Sequence, residues 1–224
     1  MEAAMSEIQS LIICKCQVYH RVDEDKLTQL ISAVRAAGIS FRLMDDLCYE
    51  AVHNPEKLDG TDAIVGCSRR ALLSLCAYTG MENLPLVYEL NSSVDEIIQS
   101  LDNDSGNSGC EEACDRVPDD WVAWYPVIDP DRCIQCKKCV DFCMFGVYTA
   151  ENGKVKVIQP SSCKTDCPAC ARMCPANAII FPKSEEAAIN GALKEAVKME
   201  TDKKMSFRTR LQNRKALRLF KEDE

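Results

Sequence analysis

Between Leu11 and Leu101 short apolar runs alternate with stretches in which apolar residues recur at helical spacing. Leu11 to Val18, Ile39 to Met44, Ala63 to Gly66 and Leu86 to Glu89 read as strands, and Glu24 to Ala37, Arg69 to about Ala77 and Val94 to Leu101 as helices. Gly38 stands where a glycine closes a helix. Strand and helix in alternation predict an α/β (Rossmann-like) domain with a mostly parallel sheet and right-handed crossovers. In such sheets functional groups gather beyond the carboxyl ends of the strands.

The pattern then changes. Residues 102–120 are rich in Asp, Asn, Ser and Gly, which reads as a mobile linker, and Trp121 and Trp124 announce a new strand. From Lys203 to Lys221 eight lysines and arginines accompany Phe207, Leu211, Leu217 and Phe220, the pattern of a basic amphipathic helix. The expected division is therefore residues 1–101, an acidic linker 102–121, a small domain 122–183 and a helical basic tail 184–224.

The 224 residues carry a formal net charge of −8, although the tail is basic. That tail is read first as solvated or folded back on the acidic body. Docking to a partner protein comes next, contact with a membrane surface is not favoured, and nucleic acid, with no recognisable binding fold, comes last. Fifteen cysteines, an odd number, with no signal peptide and no apolar run long enough to span a membrane, point to a reducing cytoplasm where thiols stay free or bind metal.

Eight of those cysteines form two groups: Cys133, Cys136, Cys139 and Cys143, then Cys163, Cys167, Cys170 and Cys174, with Pro175 directly after. Three cysteines at close spacing wrap a loop around three corners of a cubane iron-sulfur cluster, and the fourth, set off by three residues, reaches the neighbouring cluster. Structural zinc also uses four thiolates, but usually as pairs separated by a dozen or more residues. The groups are copies. Val127, Ile128, Pro130 and Cys133 recur as Val157, Ile158, Pro160 and Cys163, and after a one-residue insertion Cys136, Cys139 and Cys143 recur as Cys167, Cys170 and Cys174.

Over about residues 124–183 these motifs resemble the bacterial-type two-cluster ferredoxins. The resemblance implies an α+β ferredoxin-like domain of two copies related by pseudo-two-fold symmetry, holding two 4Fe-4S clusters. It also implies that Cys133, Cys136, Cys139 and Cys174 ligate one cluster and Cys163, Cys167, Cys170 and Cys143 the other. Met144 replaces the proline usual after the fourth cysteine, and the span from Cys163 to Cys167 is one residue longer than usual. Four thiolates per cluster leave no open coordination position, which favours electron transfer over substrate chemistry. A segment this small needs the clusters as staples, so loss of metal should unfold it.

Four more cysteines fall at predicted strand ends: Cys14 and Cys16 two apart at the first, Cys48 after the second and Cys67 closing the third. Singly, each reads as a small buried hydrophobe; together, at one sheet edge, they suggest a metal or redox site. The strings IICKC, DDLC and IVGCSRRAL resemble the amino-terminal region of the A-type subunit of heterodisulfide reductase and of related iron-sulfur flavoproteins. That resemblance implies a third 4Fe-4S cluster on Cys14, Cys16, Cys48 and Cys67. The family normally continues into a flavin domain, but no G-x-G-x-x-G follows a strand here, so flavin is not expected.

The remaining candidates carry less chemistry. Ser68 reads as a helix N-cap, with the following Arg69 and Arg70 solvated, rather than as part of an anion site. Cys76 reads as core, Cys110 and Cys114 as linker thiols, and His20 and His53 as surface loop residues. No catalytic triad, carboxylate pair or phosphate loop stands out. The chain is expected to carry electrons between partner proteins. The alternatives are an iron-sulfur subunit of a multi-subunit oxidoreductase, with thiol/disulfide chemistry in its α/β domain, and a redox sensor.

Overall fold

The computed structural model describes residues 8, 10–81, 83–102, 111–113, 117–118, 120–122 and 124–192. The amino-terminal part is a five-stranded parallel sheet flanked by helices. Its strands are β1 (Leu11–Cys14), β2 (Phe41–Met44), β3 (Ala63–Gly66), β4 (Leu86–Glu89) and β5 (Glu111–Ala113), in the order β4-β3-β1-β2-β5. Register runs Leu11 opposite Phe41 on one side of β1 and opposite Ala63 on the other. The chain builds outward from β1 to β2, then crosses to lay β3 against the opposite edge of β1. This reversal opens a crevice at the carboxyl ends of β1 and β3.

The helices are α1 (Glu24–Ala36), α2 (Leu47–His53), α3 (Arg69–Thr79) and α4 (Val94–Asp102). Asp23 caps α1 by accepting from the Lys26 amide at 3.0 Å, and Glu24 and Asp25 suit the positive end of its dipole. Leu27, Leu30 and Val34 recur on its buried face. Gly38, at φ 72°, ends the helix as expected: its amide reaches the Arg35 carbonyl and that of Ile39 reaches Val34, the paired bonds of a Schellman motif.

Two features depart from the sequence reading. A short helix, α2, follows β2, and it carries His53, which stacks on Tyr49 at 4.2 Å between ring centroids and meets the edge of Trp121, rather than lying in a loop. Part of the acidic segment expected as linker is β5, paired in parallel with β2. An edge strand has one neighbour and tolerates charged residues, so composition alone hides it.

Beyond the sheet the chain forms β6 (Val127–Ile128), α5 (Lys138–Phe142), β7 (Tyr148–Glu151), β8 (Lys154–Val157), α6 (Ala169–Met173) and β9 (Ile179–Ile180). β6 pairs antiparallel with β9, and β7 with β8 through the Asn152-Gly153 turn, where both residues take positive φ as a tight hairpin demands. One core lies around the parallel sheet, and Tyr125, Val127 and Ile180 join it. A second is built from Trp124, Val147, Tyr148, Val155, Ile179 and Phe181, with Trp124 stacked on Phe181 at 5.0 Å.

The two parts interlock. Arg70 on α3 pairs with Asp129 and donates to the Asn177 carbonyl, and the Tyr125 hydroxyl donates to the Cys48 carbonyl at 2.6 Å. Gly191 packs so closely on α3 that an added Cβ would lie 3.0 Å from the Ala71 nitrogen. No helix among the described residues is long and apolar enough to cross a membrane.

Candidate metal centres

The eight cysteines of the carboxyl-terminal part converge on two cavities. Cys133, Cys136, Cys139 and Cys174 line one, with Ile128, Val155 and Ile179 behind them. Cys143, Cys163, Cys167 and Cys170 line the other, beside Phe142, Met144 and Tyr148. Each cavity therefore draws three cysteines from one stretch of chain and the fourth from the other.

Local backbone explains the convergence. Gln135 and Lys137 take φ of 56° and 60°, curling the loop so that successive cysteines turn inward, and Asp166 does the same at 57° in the second loop. Helices α5 and α6 then lift Cys143 and Cys174 away from their own loops. The Ala178 amide donates to Cys174 Sγ at 3.3 Å, and the Tyr148 hydroxyl to Cys170 Sγ at 3.0 Å. Such donors stabilise anionic sulfur and tune whatever it ligates. Cys136 is exposed and Cys170 buried, so these sites sit just under the surface. Met144, at the rim of its cavity, is 86% exposed.

Burial pushes the Cys139 and Cys170 thiols up to about 11 and Cys163 up to about 12. These sulfurs hold their protons until a cation takes the proton's place, so metal uptake releases protons. Four soft ligands in a cavity largely walled by apolar side chains fit a 4Fe-4S group.

The four cysteines of the α/β domain also meet. Cys14 ends β1, Cys67 follows β3 at the crevice between those strands, and Cys48 lies in the first turn of α2. Cys16 arrives differently from the strand pleat expected for it. β1 stops at Cys14, and Cys16 is brought round by a left-handed residue, φ 51°. Cys14, Cys16 and Cys48 are buried and Cys67 is half-buried. Burial, then the neighbouring Cys16, raises the Cys14 thiol; burial raises Cys48 well above the ordinary value and Cys67 to about 11. The Leu47 amide donates to Cys14 Sγ at 3.3 Å. Four thiols in mutual electrostatic contact, with a backbone donor to one sulfur, suit a second kind of thiolate site.

Sequence reasoning missed two residues here. Asp46 is fully buried; it caps α2 by accepting from the Cys48 amide at 3.0 Å. Lys183, 3% exposed, comes from beyond β9 and donates to Asp46 and, at 3.2 Å, to Cys16 Sγ. Burial opposes its charge, but Cys48, Asp46, Cys16 and Cys14 outweigh burial and hold its pKa well above the ordinary lysine value. Asp46 was readable as an N-cap. Nothing local in the sequence marks Lys183 beyond its place after the apolar run from Ala178 to Pro182.

The other candidates are placed more simply. Ser68 begins α3, yet its hydroxyl makes no cap and donates instead to the Asn190 carbonyl at 3.4 Å, while Glu89 accepts from the Arg69 amide. A carboxylate thus occupies the donor that an anion would need. Arg70 is in the ion pair with Asp129 rather than solvated. Cys76 is fully buried core, its thiol raised by burial to about 12. Cys110, Cys114 and the basic tail beyond Ala192 lie outside the described residues. Among the described residues no three Cys, His, Asp or Glu side chains close around the space of a single metal ion, in the octet or the quartet.

Residues 125–148 match a family model described as a 4Fe-4S binding domain. A stretch of 62 residues is 58% identical to the uncharacterized ferredoxin MJ0251 of Methanocaldococcus jannaschii, covering 27% of this chain and 42% of that protein. A stretch of 67 residues is 36% identical to pyruvate synthase subunit PorD of the same organism, covering 30% of this chain and 76% of that protein. The chain thus spans less than half of the first relative's length and about three quarters of the second's.

Proposed function

The chain belongs to the 4Fe-4S ferredoxin family, and on that premise we propose that it is an electron carrier with two 4Fe-4S clusters in residues 122–183 and a third in the α/β domain of residues 1–101. The observation that carries the two-cluster reading is the lining of the two cavities, three cysteines from one half and the fourth from the other. Cys133, Cys136, Cys139 and Cys174 hold one cluster, and Cys163, Cys167, Cys170 and Cys143 the other. Bound by four thiolates, such a cluster supplies one-electron transfer without bond chemistry.

A duplicated ferredoxin-like fold is supported by more than spacing. An offset of thirty-one positions carries Lys138–Phe142 onto Ala169–Met173. It also carries the left-handed residues Gln135 and Gly146 onto Asp166 and Asn177. Gly146 and Asn177 each donate back to the carbonyl of the fourth cysteine, Cys143 and Cys174.

Cys14, Cys16, Cys48 and Cys67 act as ligands rather than as reactive thiols in this reading. A reactive cysteine needs a lowered pKa and access, and Cys14 and Cys48 are buried with their thiols raised. The likeness to pyruvate synthase subunit PorD favours a second reading, in which the chain serves as the iron-sulfur subunit of an oxidoreductase complex and its redox partners are the other subunits.

Anaerobic purification with iron and sulfide counting, joined to electron paramagnetic resonance, tests the proposal. About twelve irons are expected for three clusters and about eight if the quartet holds none. Cys174→Ser and Cys133→Ser should lose the same resonance, and Cys143→Ser and Cys163→Ser the other. If Cys174→Ser instead shares its loss with Cys163→Ser, the exchanged ligation is wrong.

A further inference from the structure

Lys183 is a buried ammonium, and its surroundings are more than an ion pair. Asp46 supplies one counter-charge, but the same Nζ also donates to Cys16 Sγ at 3.2 Å and stands 5.8 Å from the Tyr19 ring centroid. Its backbone is fixed as well. The Lys183 carbonyl accepts from Arg21 Nη2 at 2.8 Å, and the segment that follows is held by Ser68 bonding to Asn190 and by Gly191 against α3. Burying a lysine is costly unless something nearby needs the charge. Four thiolates outweigh the charge of an iron-sulfur core that they would hold, and Asp46 adds a further negative charge, so the Lys183 ammonium opposes a net negative surrounding of low dielectric.

We propose that Lys183, delivered from the ferredoxin region into the α/β domain, is the positioning residue and counter-ion of the cysteine quartet, offsetting its thiolate charge and raising the reduction potential of the group held there. The inference rests on reading the quartet as a cluster site. A fixed positive charge beside the thiolates favours the form with one more electron, which a one-electron donor supplies with no bond made or broken. It follows that the quartet's site is completed by the ferredoxin region, so that the two parts of the chain are one redox unit.

Mediated redox titration of the intact protein, followed by electron paramagnetic resonance, tests this. In Lys183→Met the quartet's midpoint should fall enough to change the oxidised-to-reduced ratio at least tenfold at the wild-type midpoint, about 59 mV for one electron. The octet's midpoints should move far less, and Lys183→Arg should restore most of the shift. Loss of about four irons in Lys183→Met with both octet signals intact, recovered in Lys183→Arg, supports the same role. An unchanged quartet midpoint in a Lys183→Met protein that still holds about twelve irons overturns it. If Lys183→Met does not fold, Asp46→Asn, which keeps a capping side chain, should move the midpoint upward, and no movement overturns the inference. A wild-type protein with about eight irons and no third signal fails at the earlier step, and so identifies the cluster reading itself as the error.

Discussion

The octet and the quartet each gather cysteines, and they do so by opposite routes. The octet's cysteines are gathered by loops only a few residues long, around cavities near the surface, with a small core behind them. The quartet's cysteines come from the ends of separate elements and are brought together by a parallel sheet whose extensive core includes Cys14, Cys16 and Cys48 and packs against Cys67. The first arrangement has only a small packed core to hold its shape. The second takes its shape from the packing of the sheet core.

The largest expected effect breaks this comparison apart. Stripping iron with a chelator under oxidising conditions should abolish the cooperative unfolding of residues 124–183 while the α/β domain keeps its own transition, because only the former lacks a sufficient core. Calorimetry joined to hydrogen exchange resolved by region would measure it. An iron-free protein with a single unchanged transition would mean that the ferredoxin region folds by packing alone.

A smaller effect sharpens the coupling between the two regions. Arg70→Ala removes the nearer of two cationic partners of buried Asp129, which keeps Arg132 at 3.7 Å, and a donor to the Asn177 carbonyl, and should cost on the order of 2 kcal/mol in urea unfolding of the iron-loaded protein. A loss under about 0.5 kcal/mol would mark the pair as a surface-like contact.

The smallest concerns Cys76, which belongs to neither site. Its thiol is raised from 9.0 to about 12, so below pH 9 the folded and unfolded chains hold the same proton and the full stability is present. As pH rises from 9 toward 12 the unfolded chain loses that proton while the folded one keeps it, and stability falls, by about 1 kcal/mol at pH 10. Cys76→Ala should flatten that alkaline decline, whatever it costs at neutral pH. An unchanged slope would locate the decline elsewhere.

Legibility followed the range of the interactions. β3 and β4 stand where apolar runs and turn residues put them, and α1 ends on Gly38 because a Schellman motif needs a left-handed residue there. The close triples of the octet have the same local origin, each set within one loop, whereas the crossing of Cys143 and Cys174 to the other triple's cavity joins positions far apart along the chain. β5 escaped because an acidic edge strand looks like linker, and α2 because seven residues give too short a period to register. Cys16 was expected on the strand and lies past it, in a left-handed turn that alternation along a strand does not encode.

The sequence by itself determined the alternation that makes a parallel sheet, the duplicated cysteine spacing and the membership of the 4Fe-4S ferredoxin family, all of them consequences of neighbours along the chain. Only the tertiary structure decided that β1 and β3 lie side by side, so that Cys14, Cys16, Cys48 and Cys67 share one crevice. It alone decided that Lys183 enters that crevice from the other half of the molecule. A buried charge is placed by what surrounds it in space, and those surroundings are far apart along the chain.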